Sequence, residues 1–417
     1  MSATGYLSVG SRTVSLLENG VRPELLAAFH PDMLQKRMEP WDDVYDIPVI
    51  EFRAPGRQVA DRLDLMGINR ELVLAMLDHQ LAEEHKSLAY GFFPFELPLA
   101  TDEQLAANRE FLASLDASAW VGHVARSSSA PDDKEGNFQV PVPGSWSWLL
   151  REVKAWDPWY ALRIVLLALP DADVVLDISD PVQTGILTED HGRVTGTRPE
   201  TGSSARPGMP LIVLTEGRTD SEFIGGAVRV LYPHLSDLVR FLDYERKPEG
   251  GAAALRRMTA SFAAAGVANR VVAVFDNDAA AADARRSLDE TRLPANIRVL
   301  SYPDIDLARN YPTLGPPASG SPGGSADLSD VNGLAGSIEL YLGRDVLERD
   351  DGTLCPVQWT SYLDGVRGYQ GEVTDKQRIH QAFRAKYQQA RRSPESAAGQ
   401  DWDGMRLIID AISSSFG

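Results

Sequence analysis

A chain of 417 residues is long enough for two or three domains, and its 43% apolar and 24% charged residues are ordinary for a globular protein. Its net charge of −18 argues against broad, non-specific binding to nucleic acid, although bound cations and a few basic side chains can reverse the local potential. The single cysteine, Cys355, excludes an intrachain disulfide and a cysteine-based zinc cluster. With no apolar run of membrane-spanning length and no secretory signal pattern, a cytoplasmic protein without membrane contact is expected.

In chain order, 6–9 and 13–17 read as short strands, and helical patterns follow over 23–29, 57–66, 70–85 and 102–115. The stretch 144–169 carries Trp146, Trp148, Trp156 and Trp159, a density that marks core or interface in preference to a base-stacking platform. A buried strand over 171–178 leads to a short piece over 183–187, and a first domain of α+β character is expected over 1–190. Residues 191–209 are rich in Pro, Gly and Ser and read as a linker.

From 210 onward strands and helices alternate: strand 211–215, helix 219–231, short strand 240–243, helix 250–265, strand 271–275, helix 279–290 and strand 297–302. Such alternation implies a parallel sheet with helices on both faces. The stretch 312–326 (PTLGPPASGSPGGSA) holds too much Gly and Pro for regular structure and is expected to be a mobile loop. Residues 332–342 read as a helix carrying Glu339, and helices over 375–391 and 402–414 form a helical C-terminal extension. The expected fold class is α/β, with a parallel sheet flanked by helices in 210–417 preceded by a separate α+β domain.

Two acidic clusters, about 60 residues apart, carry the chemistry: LIVLTEGRTD over 211–220 and VVAVFDND over 271–278. Each is an apolar run of strand length ending in carboxylates, at the sheet edge where open α/β folds bind ligands. Glu216, Asp220, Asp276 and Asp278 would repel one another unless a cation sat among them, and hard oxygen ligands select Mg²⁺ or Mn²⁺. Gly217 is expected to permit a sharp turn and close approach of a phosphate. Asp276 and Asp278, two apart, share one face of extended backbone. Two ions ~3.5–4 Å apart would activate a water and stabilise the leaving oxygen of a phosphodiester. Glu222, Asp304, Asp306 and Glu339 are outer candidates, and the pairs Arg256-Arg257, Arg285-Arg286 and Arg391-Arg392 read as solvated helix faces.

The order Glu216-Gly217-x-x-Asp220 after one strand and Asp276-x-Asp278 after a later one resembles the Toprim domain of type IA topoisomerases, bacterial primases and OLD-family nucleases, over about 210–343. The resemblance implies a metal-dependent nuclease in which Glu216 is a general base or metal ligand and Asp220, Asp276 and Asp278 complete the catalytic core. Ser337-Ile338-Glu339-Leu340-Tyr341 is similar to the OLD-type segment that adds a further acidic ligand, here Glu339. The segment 369–376 (YQGEVTDK) resembles the one that brings a lysine to the active site, here Lys376, where a cation stabilises charge on phosphorus.

The opening segment 5–33 (GYLSVGSRTVSLLENGVRPELLAAFHPDM) resembles a module found upstream of HEPN or Toprim domains in bacterial defence proteins. That implies an anti-phage or toxin–antitoxin role. The implied partners are DNA or RNA as substrate, a second copy of the chain as a homodimer, and a protein of the same defence operon. No P-loop sequence accompanies it, so the ATPase domain of full-length OLD proteins is missing. Arg229 and His234 match the Arg-x4-His signature of HEPN ribonucleases in form alone, because Pro233 should end the helix. The alternative is a non-catalytic regulatory or nucleic-acid-binding subunit.

Overall fold

A computed structural model describes residues 4–17, 23–40, 45–89, 101–129, 142–153, 156–190, 193–196, 209–242, 250–289, 292–315, 327–364 and 368–416. The chain divides into two compact units, residues 1–203 and 204–416. Among the described residues no helix is long and apolar enough to cross a membrane.

In the first unit, strands β1 (Gly5–Val9), β2 (Arg12–Leu17), β3 (Leu34–Pro40), β4 (Asp46–Pro55) and β5 (Asp173–Asp177) form an antiparallel sheet in the order β2-β1-β5-β4-β3. Its helices are α1 (Gly56–Leu65), α2 (Arg70–Ala89), α3 (Asp102–Ala113), α4 (Ala117–Ser127), α5 (Trp146–Arg151), α6 (Pro158–Ala168) and α7 (Ser179–Gln183). β1 alternates, burying Leu7 and Val9. α6 starts where Asp157 accepts the Trp159 N–H at 3.3 Å with Pro158 in the first turn, and it buries Leu162, Ile164, Val165 and Leu166. Arg163 is carried into that buried helix by its ion pair to Asp64, 2.8 Å long. Trp146, Trp148 and Trp159 are core side chains. β3 and β4 carry no clear alternation and escape a pattern search. β3 is an outer strand with its side chains turned to solvent, and the charges of Lys36 and Arg37 suit such an edge.

Strands β6 (Leu187–Asp190) and β7 (Arg193–Gly196) pair as a hairpin. The stretch expected to be a linker, 191–209, therefore opens inside regular structure, and its part over 197–208 lies outside the described residues.

In the second unit, β8 (Leu211–Thr215), β9 (Val239–Phe241), β10 (Val271–Phe275) and β12 (Ile297–Ser301) form a parallel sheet in the order β12-β10-β8-β9. Helices α8 (Arg218–Leu231), α9 (Ala252–Ala265) and α10 (Ala279–Asp289) connect them. Every residue of β10 is buried, which is why VVAVF is apolar throughout and does not alternate. Leu214, Ala273 and Phe275 pack with Leu255 of α9 and Ala281 and Leu288 of α10.

A second four-stranded sheet was not anticipated. Strands β13 (Tyr311–Leu314), β14 (Asp327–Ser329), β16 (Val357–Leu363) and β17 (Gly368–Val373) lie in the order β14-β13-β16-β17. The expected loop 312–326 is corrected at its start, since Pro312, Thr313 and Leu314 belong to β13; 316–326 lies outside the described residues. The expected helix over 332–342 is also absent. There β15 (Ala335–Gly336) pairs with β11 (Asn277–Asp278), and a single 3₁₀ turn, Ile338–Tyr341, follows. Gly333 at φ +73° breaks helical continuity, and a Cβ on Gly336 would lie 2.5 Å from the Asn277 carbonyl oxygen. The unit closes with α11 (Arg344–Leu347), α12 (Lys376–Arg392), α13 (Pro394–Ala397) and α14 (Asp403–Ser413). α12 buries Ile379, Phe383, Lys386 and Ala390 along one face, and Phe383 meets Phe223 of α8 with ring centroids 4.9 Å apart.

Candidate metal centre

The parallel sheet places two carboxylate-bearing turns side by side, because β8 and β10 are hydrogen-bonded neighbours. After β8, Thr215 Oγ1 donates to the Gly217 carbonyl oxygen at 2.9 Å, and the Glu216 carbonyl accepts from Gly251 N at 2.7 Å. Gly217 has φ −161°, extended backbone that any residue adopts, so its role differs from the one expected. A Cβ there would approach Asp220 Oδ2 to 3.3 Å, which puts the value of this glycine in space and not in turning.

Across the two strands, Glu216 Oε1 accepts the Asp276 N–H at 3.0 Å. Asp220 lies buried in the first turn of α8, where Tyr302 Oη donates to its Oδ1 at 2.9 Å. Asp278 caps α10, with Oδ1 accepting the Ala281 N–H at 2.7 Å and Oδ2 accepting from Gln370 Nε2 at 2.6 Å. Asp276 differs from its neighbours. Its Oδ1 is buried and has no hydrogen-bond partner. Burying a carboxylate oxygen without a partner is costly, and a site that keeps one has an unfilled requirement for a proton or a cation.

The groups raise one another's affinity for protons. Burial, then the charges of Asp220, Glu216, Asp278 and Glu339, push the Asp276 carboxyl well above the ordinary range. Burial, with Asp278 and Asp220, pushes Glu216 up to about 8 against the hydrogen bond from Asp276 N. Burial also raises Asp220 to about 6, partly offset by Tyr302. Glu339 goes the other way. Burial alone would raise it, but His380 beside it, the charge of Lys376 and the Ser337 hydroxyl hold it below its ordinary value. His380 Nε2 stands 2.7 Å from Glu339 Oε1, and Ser337 Oγ donates to Oε2 at 2.6 Å.

Glu216, Asp220, Asp276, Asp278 and Glu339 thus share one electrostatic neighbourhood. The remaining candidates are engaged elsewhere. Glu222 is paired to Arg384 at 2.6 Å, Asp306 to Arg309 at 3.3 Å, and Asp304 accepts from Asn277 Nδ2 at 2.8 Å. Lys376 opens α12 and stands 3.6 Å from Glu372, within electrostatic reach of Glu339 but not hydrogen-bonded to it. His380, Tyr302 and Gln370 escaped the sequence reading. His380 lies four residues after Lys376, on the same face of α12, and that spacing was the available signal; Tyr302 and Gln370 give none.

Among the described residues, no group of three or more His, Cys, Asp or Glu stands close enough to hold a metal ion. The donor chemistry fits a hard divalent cation, and the orphaned Asp276 oxygen and the mutual repulsion mark where positive charge is lacking. Full ligation requires Asp278 and Glu216 to exchange present hydrogen bonds for a cation.

Gly336 fixes the approach of β15 to β11, and therefore the place of Asp278. Gly336→Ala is expected to destabilise the protein by about 1–3 kcal/mol, because its Cβ meets backbone and not a yielding side chain. Urea denaturation with an unchanged midpoint would show that the turn adapts freely.

Residues 1–198 match the family model of HEPN/Toprim N-terminal domain 1. The match supports a HEPN/Toprim-associated protein, in keeping with the resemblance of the opening segment. The HEPN/Toprim match ends before β8, so it does not cover the carboxylate cluster. No curated protein and no solved structure matches the chain. The formal HEPN signature is not part of a continuous helix: α8 ends at Leu231, and Pro233 begins a separate 3₁₀ turn that buries His234.

Proposed function

We propose that the chain is a divalent-metal-dependent nuclease of prokaryotic defence that hydrolyses phosphodiester bonds of DNA or RNA. The observation that carries the reading is the unpartnered, buried Asp276 oxygen among Glu216, Asp220, Asp278 and Glu339, at the C-terminal edge of a parallel sheet. The HEPN/Toprim N-terminal match supports the defence association.

Asp276, Glu216 and Asp278 would hold the Mg²⁺ or Mn²⁺, with Asp220 and Glu339 completing its surroundings. Such a cation supplies charge stabilisation to the phosphoryl oxygens and lowers the pKa of a bound water. The chain's own residues do the rest. Tyr302 fixes the orientation of Asp220 through its hydroxyl. Burial and neighbouring carboxylates raise both Glu216 and Asp220, so a bound cation would compete with protons at this centre. Lys376 brings positive charge to the Glu339 side, where it would face the phosphate, and His380 Nε2 hydrogen-bonds Glu339.

A second reading is a non-catalytic regulatory or nucleic-acid-binding subunit, and one observation favours it: the carboxylates are not preassembled at ligating distance. Incubation of the pure chain with plasmid, single-stranded DNA and total tRNA, each with and without Mn²⁺, separates the two. Cleavage that appears with Mn²⁺ and disappears with chelator is expected. A folded protein that binds these substrates and cuts none of them establishes the second reading.

A further inference from the structure

Beside the carboxylates, α8 leads to a cavity that none of them enters. Asp220 turns toward Tyr302, while the next residue, Ser221, lines a space of about 260 Å³ between α8 and β9, the outermost strand of the parallel sheet. Arg229, one face of α8 further on, and Arg240 of β9 line the same space, with Ser236 adding a second hydroxyl. Both arginines are exposed, and neither has an ion-pair or hydrogen-bond partner among the described residues. No carboxylate is among the residues that line the cavity. Gly225 lines it as well, and a Cβ there would make ordinary contact, 3.4 Å from the Phe241 ring and 3.7 Å from Arg229 Nη1.

Two unpaired guanidinium groups above hydroxyls, in a chain of net charge −18, make a local exception to the electrostatics of the protein. Planar, always-charged guanidinium groups recognise the non-bridging oxygens of a phosphodiester. The volume lies below the ~300–1,000 Å³ of sites for drug-sized ligands and suits one phosphoryl group with its water. Asp220 of the carboxylate centre and Arg229 of the cavity are nine residues apart on α8, about 13–14 Å at 1.5 Å per residue. That is the rise of roughly three to four nucleotides of one strand.

We propose that this cavity holds a backbone phosphate of the polynucleotide substrate, a few nucleotides from the bond cut at the carboxylate centre. The proposal rests on the nuclease reading and adds to it the track the strand follows: along α8 toward β9, gripped by Arg229 and Arg240.

The test is anisotropy of a labelled single strand of about 20 nucleotides, as DNA and as RNA, with chelator present and over a salt series. Arg229→Gln/Arg240→Gln is expected to weaken binding ~10-fold and to make the dependence of log K on log salt shallower by about 0.7–1.4, one or two phosphate contacts. Arg229→Lys/Arg240→Lys should keep most of that slope, and Mn²⁺ affinity by calorimetry should match wild type in both. Affinity and slope equal to wild type in the Gln variant, at an unchanged melting temperature, would overturn the proposal. So would displacement of the strand by millimolar mononucleotide as readily as by polynucleotide. Arginine-dependent binding by a wild type that cuts nothing would uphold the cavity and overturn the nuclease reading, so the two fail separately.

Discussion

Asp276→Asn is expected to lower Mn²⁺-dependent cleavage by ~10²-fold or more while raising the melting temperature of the metal-free protein. The two effects have one cause. Asp276 Oδ1 is buried without a partner, and four other carboxylates press on it. An amide at this position keeps the shape, removes the charge, and ends its repulsion with Asp220, Glu216, Asp278 and Glu339. If the site holds a cation, stability is given up at this point for function, and the substitution is expected to return it. Melting with added Mn²⁺ completes the test. Ligand binding to the native state should raise the wild-type midpoint with metal concentration, and the variant should gain much less. Equal activity, or an equal Mn²⁺-induced shift, in both proteins would remove Asp276 from the site.

In the first unit, Glu152→Gln is expected to raise stability at alkaline pH and to flatten its pH dependence. Glu152 is buried, and neither of its carboxylate oxygens has a hydrogen-bond partner. Burial, then the nearby Glu84, push its carboxyl from an ordinary 4.5 up to about 9, with Arg151 opposing. A carboxyl whose folded-state pKa is raised contributes most stability below its unfolded value near 4.5, and that contribution is lost as pH rises through about 9. Wild-type melting temperature should therefore fall between pH 5 and pH 9. The variant should fall less, and its amide N–H can donate to Glu84 Oε2, itself buried and unpartnered. One unit of relieved shift is about 1.4 kcal/mol, or roughly 2–6 °C for a unit of this size. Parallel decline of the two proteins across this range would show that Glu152 is not the titrating group.

Much of the parallel sheet is legible because its signals are local. VVAVF announces a strand buried on both faces, and the helices between strands repeat their apolar residues with helical period. The second sheet, of β13, β14, β16 and β17, is not legible. Its pairings join segments as far apart as Thr313 and Val357, and much of β16 is exposed, so neither composition nor alternation marks it. The failed helix at 332–342 has a similar origin. Gly336 reads as a tolerable helix residue until Asn277 is brought against it, and that contact comes from a strand some 60 positions earlier.

The carboxylates divide along the same line. The sequence alone determined that Glu216, Asp220, Asp276 and Asp278 lie at or just beyond the ends of two apolar strands, because strand ends and acidic residues are both local properties. Only the tertiary structure decided which charges meet. Pairing of β8 with β10 sets Glu216 against Asp276 N; α12 meets the 3₁₀ turn Ile338–Tyr341 and brings His380 to Glu339; and Arg384 withdraws Glu222 into an ion pair. The orphaned oxygen of Asp276 belongs to this second kind, because a hydrogen bond left unmade depends on every group that could have reached it. Burial is the largest cause of the raised proton affinity of Asp276, Glu216 and Asp220, and burial is a property of the packed core and not of the residue.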